Sequence, residues 1–514
     1  MKTKNPLIII ILDGWGIGKK NEHNPIFLAS TPTMDDLEKT RPYTELKAAG
    51  EGIGLEHGHQ GSSEIGHLII GAGRNALLPQ TQVKQAILGG DLLKNKVYLE
   101  AIEKIKKNGG ALHLMGMFSN EGVHSYDTAC YTLIELAAKH GLKEVYIHVF
   151  SDGRDTSPKE LEIYLERLHA AIRKFGIGKI ASLVGRYWAM DRDKRWERVQ
   201  EAYELLVEGK GYETDSIEEA VKQAYEREET DEFIKPTVIM ADGKPVATIK
   251  DGDTVFNFNF RIDREIEITQ ALVENKFDGF KRENKPNIHY VGITKYYKDS
   301  LAEAAIKQET IKNSLGEVLS NAGMKQLRIT ETEKWVYLTK IFNGLNENSF
   351  EGEDRILIPS DKIATYDLKP EMKVAEITET VLQKLDENIY DVIIINYANP
   401  DILGHTAIKE AVIKGVATID KHLAKLLKKA KEKGADVMIT ADHGNGEIIF
   451  DHQKNMEHTH HTDADVPFII VSEREELKNC KLLLGAIKDI APTALDIVGI
   501  NKPKEMTGIS LIEK

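Results

Sequence analysis

The sequence predicts an α/β protein: a doubly wound parallel sheet with a second α/β domain inserted into it. Three observations carry that expectation. Continuous apolar runs without alternation, such as Leu7-Ile-Ile-Ile-Ile-Leu12, read as strands buried on both faces of a parallel sheet. Late in the chain two such runs flank a stretch of helical spacing, the strand, helix, strand order of a βαβ unit. A long segment with its own alternation of strands and helices separates the first run from the late ones.

Taken in order, Asp13-Gly-Trp-Gly16 follows the first run as a loop at its carboxyl end. Val392-Ile-Ile-Ile-Asn396 leads into Tyr397-Ala-Asn-Pro-Asp401, and Asp436-Val-Met-Ile-Thr440 leads into Ala441-Asp-His-Gly444. Pro467-Phe-Ile-Ile-Val471 is a fourth strand of this kind. Residues 408–433 carry helical spacing rich in Lys, Ala and Leu, and Gly434 supplies the stop. Doubly wound sheets bind ligands beyond the carboxyl ends of their strands, where the polar loops lie. In the middle segment Val145–Phe150, Ile180–Val184 and Thr254–Phe260 read as strands, and Pro158 opens a helix through Phe175. Their ends carry arginines rather than carboxylates: Arg154, Arg186, Arg261 and Arg264. The pattern weakens near Leu78 and Lys307, dividing the chain into residues 1–77 with 308–514 and an insert of residues 78–307. There is no internal repeat and no low-complexity tract.

At 514 residues the chain exceeds one ordinary core. Its 41% hydrophobic and 29% charged residues argue for a globular enzyme and against disorder. A formal charge of −13, from 68 Lys+Arg against 81 Asp+Glu, disfavours nucleic acid and anionic membranes as partners. A local basic pocket for a phosphorylated substrate remains compatible with it. Cys130 and Cys480 belong to no metal or redox spacing and read as reduced thiols. The run 7–12 is too short to span a membrane. Lys2 and Lys4 precede it like the start of a signal, but no small-residue cleavage site follows. A cytoplasmic enzyme is expected, monomeric, with a small-molecule substrate.

Seven side chains of metal-binding or nucleophilic type sit near the two ends of the chain: Asp13, Ser63, Asp401, His405, Asp442, His443 and His461. Each alone has a plain reading. Asp13 is a turn former, Asp401 a cap with His405 on the surface, Asp442-His443 a polar turn, and the histidines of residues 452–462 incidental. Their recurrence at equivalent strand ends is harder to attribute to chance. Asp401 and His405, four apart, share a face in a helical turn, and adjacent Asp442 and His443 can reach two neighbouring ions. Carboxylate and imidazole mixtures suit manganese or zinc, and a pair of ions about 3.5–4 Å apart clamps both oxygens of an in-line phosphoryl displacement. Ser63 lies between glycines in Gly61-Ser-Ser-Glu-Ile-Gly-His67, where the backbone can turn sharply and present a hydroxyl. It can also serve as a helix N-cap with Glu64 in the first turn.

At these residues the chain resembles the cofactor-independent phosphoglycerate mutases of the alkaline phosphatase superfamily, nearly end to end. The matching segments are 12–16, 63–67 with 71–74, 122–125, 152–155, 185–193, 258–264, 331–334, 396–405, 440–445 and 458–462. The resemblance implies an alkaline-phosphatase-like metal domain and an inserted substrate-binding transferase domain. It implies one manganese on Asp13, Ser63, Asp442 and His443 and a second on Asp401, His405 and His461, with Zn2+, Co2+ or Mg2+ as other candidates. His461 is chosen over His458 and His460 by aligning His461-Thr462 ahead of Val466-Pro467. Ser63 would take the phosphoryl group of 3-phosphoglycerate as a phosphoserine and return it to the other glycerate hydroxyl, with no bisphosphoglycerate primer. His124, Arg154, Asp155, Arg186, Arg192, Arg261 and Arg264 would hold the substrate, with Lys334 near the phosphate. Arginine forks suit carboxylate and phosphate, and Asp155 could exchange protons with the glycerate hydroxyls. Trapped glycerate calls for a closed, water-free cleft.

The chain departs from the family pattern at Ser62, usually Asn, at Glu267, in place of an arginine, and at Tyr337 and Leu345, in place of a histidine and a glycine. Ser119-Asn-Glu-Gly122 also differs from the usual Asp-Gly-Gly before His124. Glu267 for a cation is expected to weaken an anion contact. The runner-up function is a metal-dependent phosphatase, phosphonate hydrolase or other phosphomutase, since fold does not fix substrate. The arginines and Asp155 favour a mutase over such hydrolases, and a nucleophile position disfavours a purely structural metal protein.

Overall fold

Six aliphatic residues without a polar break, Leu7–Leu12, form the centre of one sheet because each is buried whichever face it points to. The computed structural model describes residues 5–55, 58–76, 79–307, 311–451 and 455–513. The chain divides into two units, Met1–Leu78 with Thr310–Lys514, and Pro79–Glu309. In the first, the strand order is Glu353–Ile358, Gln326–Glu331, Val392–Tyr397, Leu7–Leu12, Asp436–Thr440, Val466–Val471, Tyr43–Lys47, Gly485–Ala486. The first five strands are mutually parallel. Leu12 lies level with Tyr397 and Ile11 with Thr440, so the loops beginning at Asp13, Ala398 and Ala441 leave the sheet at one edge.

Val466–Val471 corrects an expectation. It pairs antiparallel to Asp436–Thr440 and to Tyr43–Lys47, rather than extending the parallel set. No helix is described between residues 441 and 465 to make a crossover, and an antiparallel partner needs none. Gln326–Glu331, Glu353–Ile358 and Tyr43–Lys47 were not anticipated. Arg328, Thr330 and Glu331 are buried polar residues that hide the first from an apolar count, and the other two carry charges. The long helix runs Lys409–Glu432, and Gly434 follows in the left-handed conformation, φ +65°. Lys2, Lys4, Leu78 and His452 lie outside the described residues.

The second unit holds a sheet in the order Glu303–Ala304, His289–Gly292, Thr254–Asn257, Leu112–Phe118, Val145–Ser151, Lys179–Gly185, Thr237–Ala241, Tyr212–Thr214, with Lys244–Pro245 beside Thr237–Ala241. The first six strands are parallel. Alternate residues of Leu112–Phe118 feed separate cores, Leu112 and Leu114 on one face, Met115 and Met117 on the other. Two expectations shift here. The strand from Thr254 ends at Asn257, and the helix after Pro158 begins at Leu161. The Pro158 carbonyl instead accepts from the Asp231 amide at 2.8 Å, which takes that residue into a turn.

Across three strands of this sheet runs a buried polar chain. Asp253 Oδ2 lies 3.1 Å from His113 Nε2, His113 Nδ1 2.9 Å from His148 Nε2, and His148 Nδ1 2.7 Å from Ser182 Oγ. With both rings neutral, the donors run from Ser182 through His148 and His113 to the Asp253 carboxylate. Burial first, and the His113 ring second, hold His148 well below the ordinary histidine value. The native state therefore refuses a proton that the unfolded chain accepts. The associated stability is full above about pH 6.5 and falls by about 1.4 kcal/mol per pH unit below it, until the depressed native value is reached. Hydrogen-exchange protection of Val145–Ser151 is expected to drop between pH 6.5 and 5. That drop should be smaller in His148→Gln, and an equal drop in both proteins would remove His148 as its cause.

Candidate functional site

The metal-type residues of the first unit meet at the carboxyl edge of its sheet. Asp13 leaves Leu12, its amide donating to the Tyr397 carbonyl, and its own carbonyl receives the Asp401 amide at 3.0 Å. Gly14, φ +76°, permits this closeness, since a Cβ there would stand 2.7 Å from the Asp401 backbone. Gly66 does the same for the helix Ser63–Ala72, where a Cβ would lie 2.6 Å from the Asp442 carbonyl. That helix is capped by Ser62, whose hydroxyl accepts the Ile65 amide at 3.3 Å. Serine thus replaces the family's asparagine with another good N-cap. Ser63 is not the cap, and its hydroxyl serves the site.

Ser63 Oγ donates to Asp13 Oδ1 at 3.0 Å, lies 3.0 Å from His443 Nε2 and accepts from Lys334 Nζ at 2.7 Å. The Lys334 ammonium, 2% exposed, also donates to Asp13 Oδ1 at 2.7 Å and Asp401 Oδ2 at 2.5 Å. His443 Nε2 stands 3.5 Å from Asp13 Oδ1, 3.5 Å from Asp442 Oδ2 and 3.8 Å from Asp401 Oδ1. His405 Nε2 and His461 Nε2 each approach Asp401 Oδ1 to 3.3 Å. The His458 and His460 rings meet edge to face, their centroids 6.2 Å apart.

Charge balance explains the electrostatics. Burial would raise the Asp13 and Asp401 carboxyls, but Lys334 above all holds both well below the usual range. Burial would lower Lys334, and Asp13, Asp401 and Asp442 together push it above the ordinary lysine value. His443, which burial alone would lower, is raised to about 10, chiefly by the Asp442 charge.

The donor set fits divalent cations. His405 Nδ1 donates to the Thr459 carbonyl at 2.7 Å and His443 Nδ1 to the Gly444 carbonyl at 3.1 Å, which turns both Nε2 atoms toward the carboxylates, where each would offer its lone pair to a cation held among them. Asp442 Oδ2 is buried and makes no hydrogen bond, although His67 Nδ1, which donates to the Ser63 carbonyl, lies 3.0 Å away. Asp401, His443 and His461 bring ligand atoms within 4.8 Å of one another. So do Asp13, His67 and Asp442, although His67 is already engaged on both nitrogens. Its Nδ1 donates to the Ser63 carbonyl at 2.9 Å, and its Nε2 accepts from Asn396 Nδ2 at 3.0 Å. The Asn396 amide also donates to Asp13 Oδ2 at 2.7 Å, and Asn445 Nδ2 to Asp401 Oδ1 at 2.7 Å. Sequence reasoning gave no role to His67, Asn396 or Asn445. The available signal was Asn396, a polar residue inside the otherwise apolar run 392–397.

In the second unit the anion-binding candidates form one cluster. Arg186, 2% exposed, donates from Nη1 to Asp152 at 2.6 Å and Asp155 at 2.5 Å, and from Nη2 to His124 Nε2 at 2.7 Å. Burial, then the Arg186 and Arg261 charges, bring His124 down to about 3, so its ring is neutral. Arg192 and Arg261 share Asp263, at 2.8 and 2.9 Å. Arg264 donates to the Met190 carbonyl at 2.9 Å, and exposed Arg154 lies 3.6 Å from Glu232. The Arg264 guanidinium is lowered by burial and by Arg186, Arg192 and Arg154, the mark of converging positive charge. Arg186 outweighs burial to hold Asp155 below the carboxylate range.

Among the departures, Leu345 adopts φ +70°, the conformation for which glycine is suited, and Tyr337 lies under Lys334, 5.4 Å from Nζ to the ring centre. A serine at a helix start, among carboxylates and imidazoles at the edge of such a sheet, defines a metal-dependent phosphoryl-transfer enzyme of the alkaline phosphatase superfamily. Residues 83–298 match the profile described as the N-terminus of BPG-independent PGAM, and residues 329–495 that of type I phosphodiesterase / nucleotide pyrophosphatase. The chain is 47% identical to the 2,3-bisphosphoglycerate-independent phosphoglycerate mutase of Clostridium novyi, over 99% of this chain and 100% of that one. It is 48% identical to 2,3-bisphosphoglycerate-independent phosphoglycerate mutase 1 of Methanosarcina acetivorans, over 100% and 99%. The crystal structure of Leishmania mexicana phosphoglycerate mutase at low cobalt concentration aligns with a TM-score of 0.66 and 30% identity, covering 100% of this chain and 99% of that one. The chain belongs to the 2,3-bisphosphoglycerate-independent phosphoglycerate mutase family, and its activity is that of an isomerase.

Proposed function

We propose that this isomerase interconverts 3-phosphoglycerate and 2-phosphoglycerate by passing the phosphoryl group through Ser63, as a glycolytic and gluconeogenic enzyme. The observation that carries the reading is the Ser63 hydroxyl at the first position of its helix, bonded to Asp13 and Lys334 and beside His443. Asp13, Ser63, Asp442 and His443 would hold one manganese, and Asp401, His405 and His461 a second. Bound there, the two ions would favour ionisation of the serine hydroxyl and neutralise the phosphoryl oxygens.

The chain's own residues do the rest. Lys334 stays protonated, so it acts as a hydrogen-bond donor to Ser63 Oγ and to the phosphoryl group, not as a base. The start of the Ser63 helix adds backbone N–H groups suited to phosphate. The serine oxygen forms its bond to phosphorus as the bond to the 3-oxygen breaks. The 2-oxygen of the glycerate then attacks and frees the serine. In the first step the serine's proton ends on the departing 3-oxygen; in the second, ionised Asp155 takes the proton of the attacking 2-hydroxyl and gives it up as the freed Ser63 oxygen is reprotonated, so both steps balance. The unit Pro79–Glu309 serves as the substrate-binding domain: Arg154, Arg186, Arg192, Arg261 and Arg264 bind the substrate's carboxylate and phosphate, and neutral His124 completes the set.

We extend the reading to a monomer in the cytoplasm. Buried Cys130 and half-buried Cys480 are free thiols, and no helix among the described residues is long and apolar enough to cross a membrane. The test is conversion of phosphate-labelled 3-phosphoglycerate by manganese-loaded protein without bisphosphoglycerate. Label retained on 2-phosphoglycerate is expected. Release of the label to water would establish a phosphatase instead.

A further inference from the structure

The turn that presents Arg192, residues 190–195, is shaped from beneath by two buried carboxyls. Asp191 Oδ1 accepts the amides of Asp193 at 2.9 Å and Arg195 at 3.0 Å, and its Oδ2 accepts from Arg198 at 3.2 Å. Glu267 Oε1, from the first turn of Ile266–Val273, accepts the Lys194 amide at 2.9 Å. Lys194 is left-handed, φ +58°, a conformation disfavoured for a residue with a Cβ, so its amide needs a partner to hold it there. Glu267 is only 5% exposed, and its Oε2 is buried without a donor of its own. The Asp191 carboxylate beside it adds to the effect of burial in raising the Glu267 carboxyl. Glu267 is therefore set against the Lys194 amide and not at the surface. Arg192 is thus tethered twice, at its tip by Asp263 at 2.8 Å and at its base through the Lys194 turn.

We propose that Glu267 is a positioning residue for substrate binding, fixing through Lys194 and Asp191 the strained turn from which Arg192 reaches the substrate. It rests on the reading of Arg192 as a substrate contact. Loss of Glu267 frees the Lys194 backbone and lets the arginine sample other directions, which weakens binding without touching the phosphoryl-transfer residues. The amide of a glutamine keeps the acceptor for Lys194 and carries no charge to titrate. The charged groups facing Glu267 are Asp191, Asp193 and, through Asp191, Arg198. Burial chiefly, with Asp191 and Asp193 adding to it, pushes the Glu267 carboxyl up to about 6.

Steady-state kinetics of the manganese-saturated enzyme on 3-phosphoglycerate test this with Arg192→Ala, Glu267→Ala and Glu267→Gln. Arg192→Ala and Glu267→Ala are each expected to raise KM about tenfold, and Glu267→Ala to leave kcat within about twofold. Glu267→Gln should restore KM, and the ratio of wild-type to Gln KM should change through about pH 6, because only the wild type titrates there. Raised KM in Arg192→Ala with normal KM in Glu267→Ala overturns the positioning role and leaves the arginine reading intact. Normal KM in Arg192→Ala overturns both. A loss in Glu267→Ala that falls on kcat and thermal stability, with no rescue by Gln, shows a packing role only and also overturns it. If Glu267→Ala does not fold, a flat KM ratio from pH 5 to 8 in Glu267→Gln overturns it alone.

Discussion

Ser63→Ala is expected to lower kcat by at least about 10⁴-fold while the protein remains folded, because the covalent route through the serine is lost altogether. The helix start survives the change, since Ser62 and not Ser63 caps it. Asp13, Asp401, Asp442 and the three imidazoles are untouched, so two divalent ions should still bind, and isothermal titration with Mn2+ checks this. Wild-type turnover in Ser63→Ala would remove the nucleophile from the mechanism.

Lys334→Met is expected to have two effects that separate cleanly. In metal-free protein, Asp13 and Asp401 lose the ammonium that bridges them at 2.7 and 2.5 Å. Breaking a buried charge cluster from one side costs about 3–5 kcal/mol, because the remaining charges stay buried and uncompensated. Divalent ions bound by the same carboxylates replace the missing charge, so added Mn2+ should recover most of that stability by mass action. Activity does not recover with it: the loss of the donor to Ser63 Oγ and the phosphoryl group should lower kcat by about 10²–10³-fold in the metal-saturated variant. Denaturant unfolding with and without metal measures the first effect and single-turnover kinetics the second. Equal metal-free stability of Lys334→Met and wild type would mean that Lys334 does not carry this charge balance.

The sheet of the first unit was legible where burial is total. Leu7–Leu12, Val392–Tyr397 and Asp436–Thr440 have no solvent face, so composition alone marks them. Gln326–Glu331 is equally buried yet unreadable, because the contacts that accommodate its charges come from elsewhere in the chain: Arg328 lies over the Phe342 ring and Glu331 accepts from Ser360. The direction of Val466–Val471 was equally hidden, since an apolar run looks the same read either way. At the site, residues that bear charge announced themselves by type. Residues that orient them are defined by distant hydrogen bonds that no local pattern contains: Asn396 reaches Asp13 and His67 across 383 and 329 positions, and Asn445 reaches Asp401 across 44. Glu267 shows the complementary difficulty. Its charge invited a reading against an anion, and its hydrogen bond to the Lys194 amide, 73 residues away, is a contact that no local pattern contains.

The flush pairing of Leu7–Leu12 with Val392–Tyr397 has a consequence in time. At about 5–20 residues per second, the ribosome takes roughly 20–80 s to produce the roughly 380 residues between these two strands. Through that interval one of the most hydrophobic stretches of the chain has left the tunnel with neither of its neighbours yet made. Six aliphatic residues with open backbone edges are then a template for any passing strand. The same absence of polar interruption that sets Asp13 level with its partners makes the newborn chain dependent on shelter until its far end arrives.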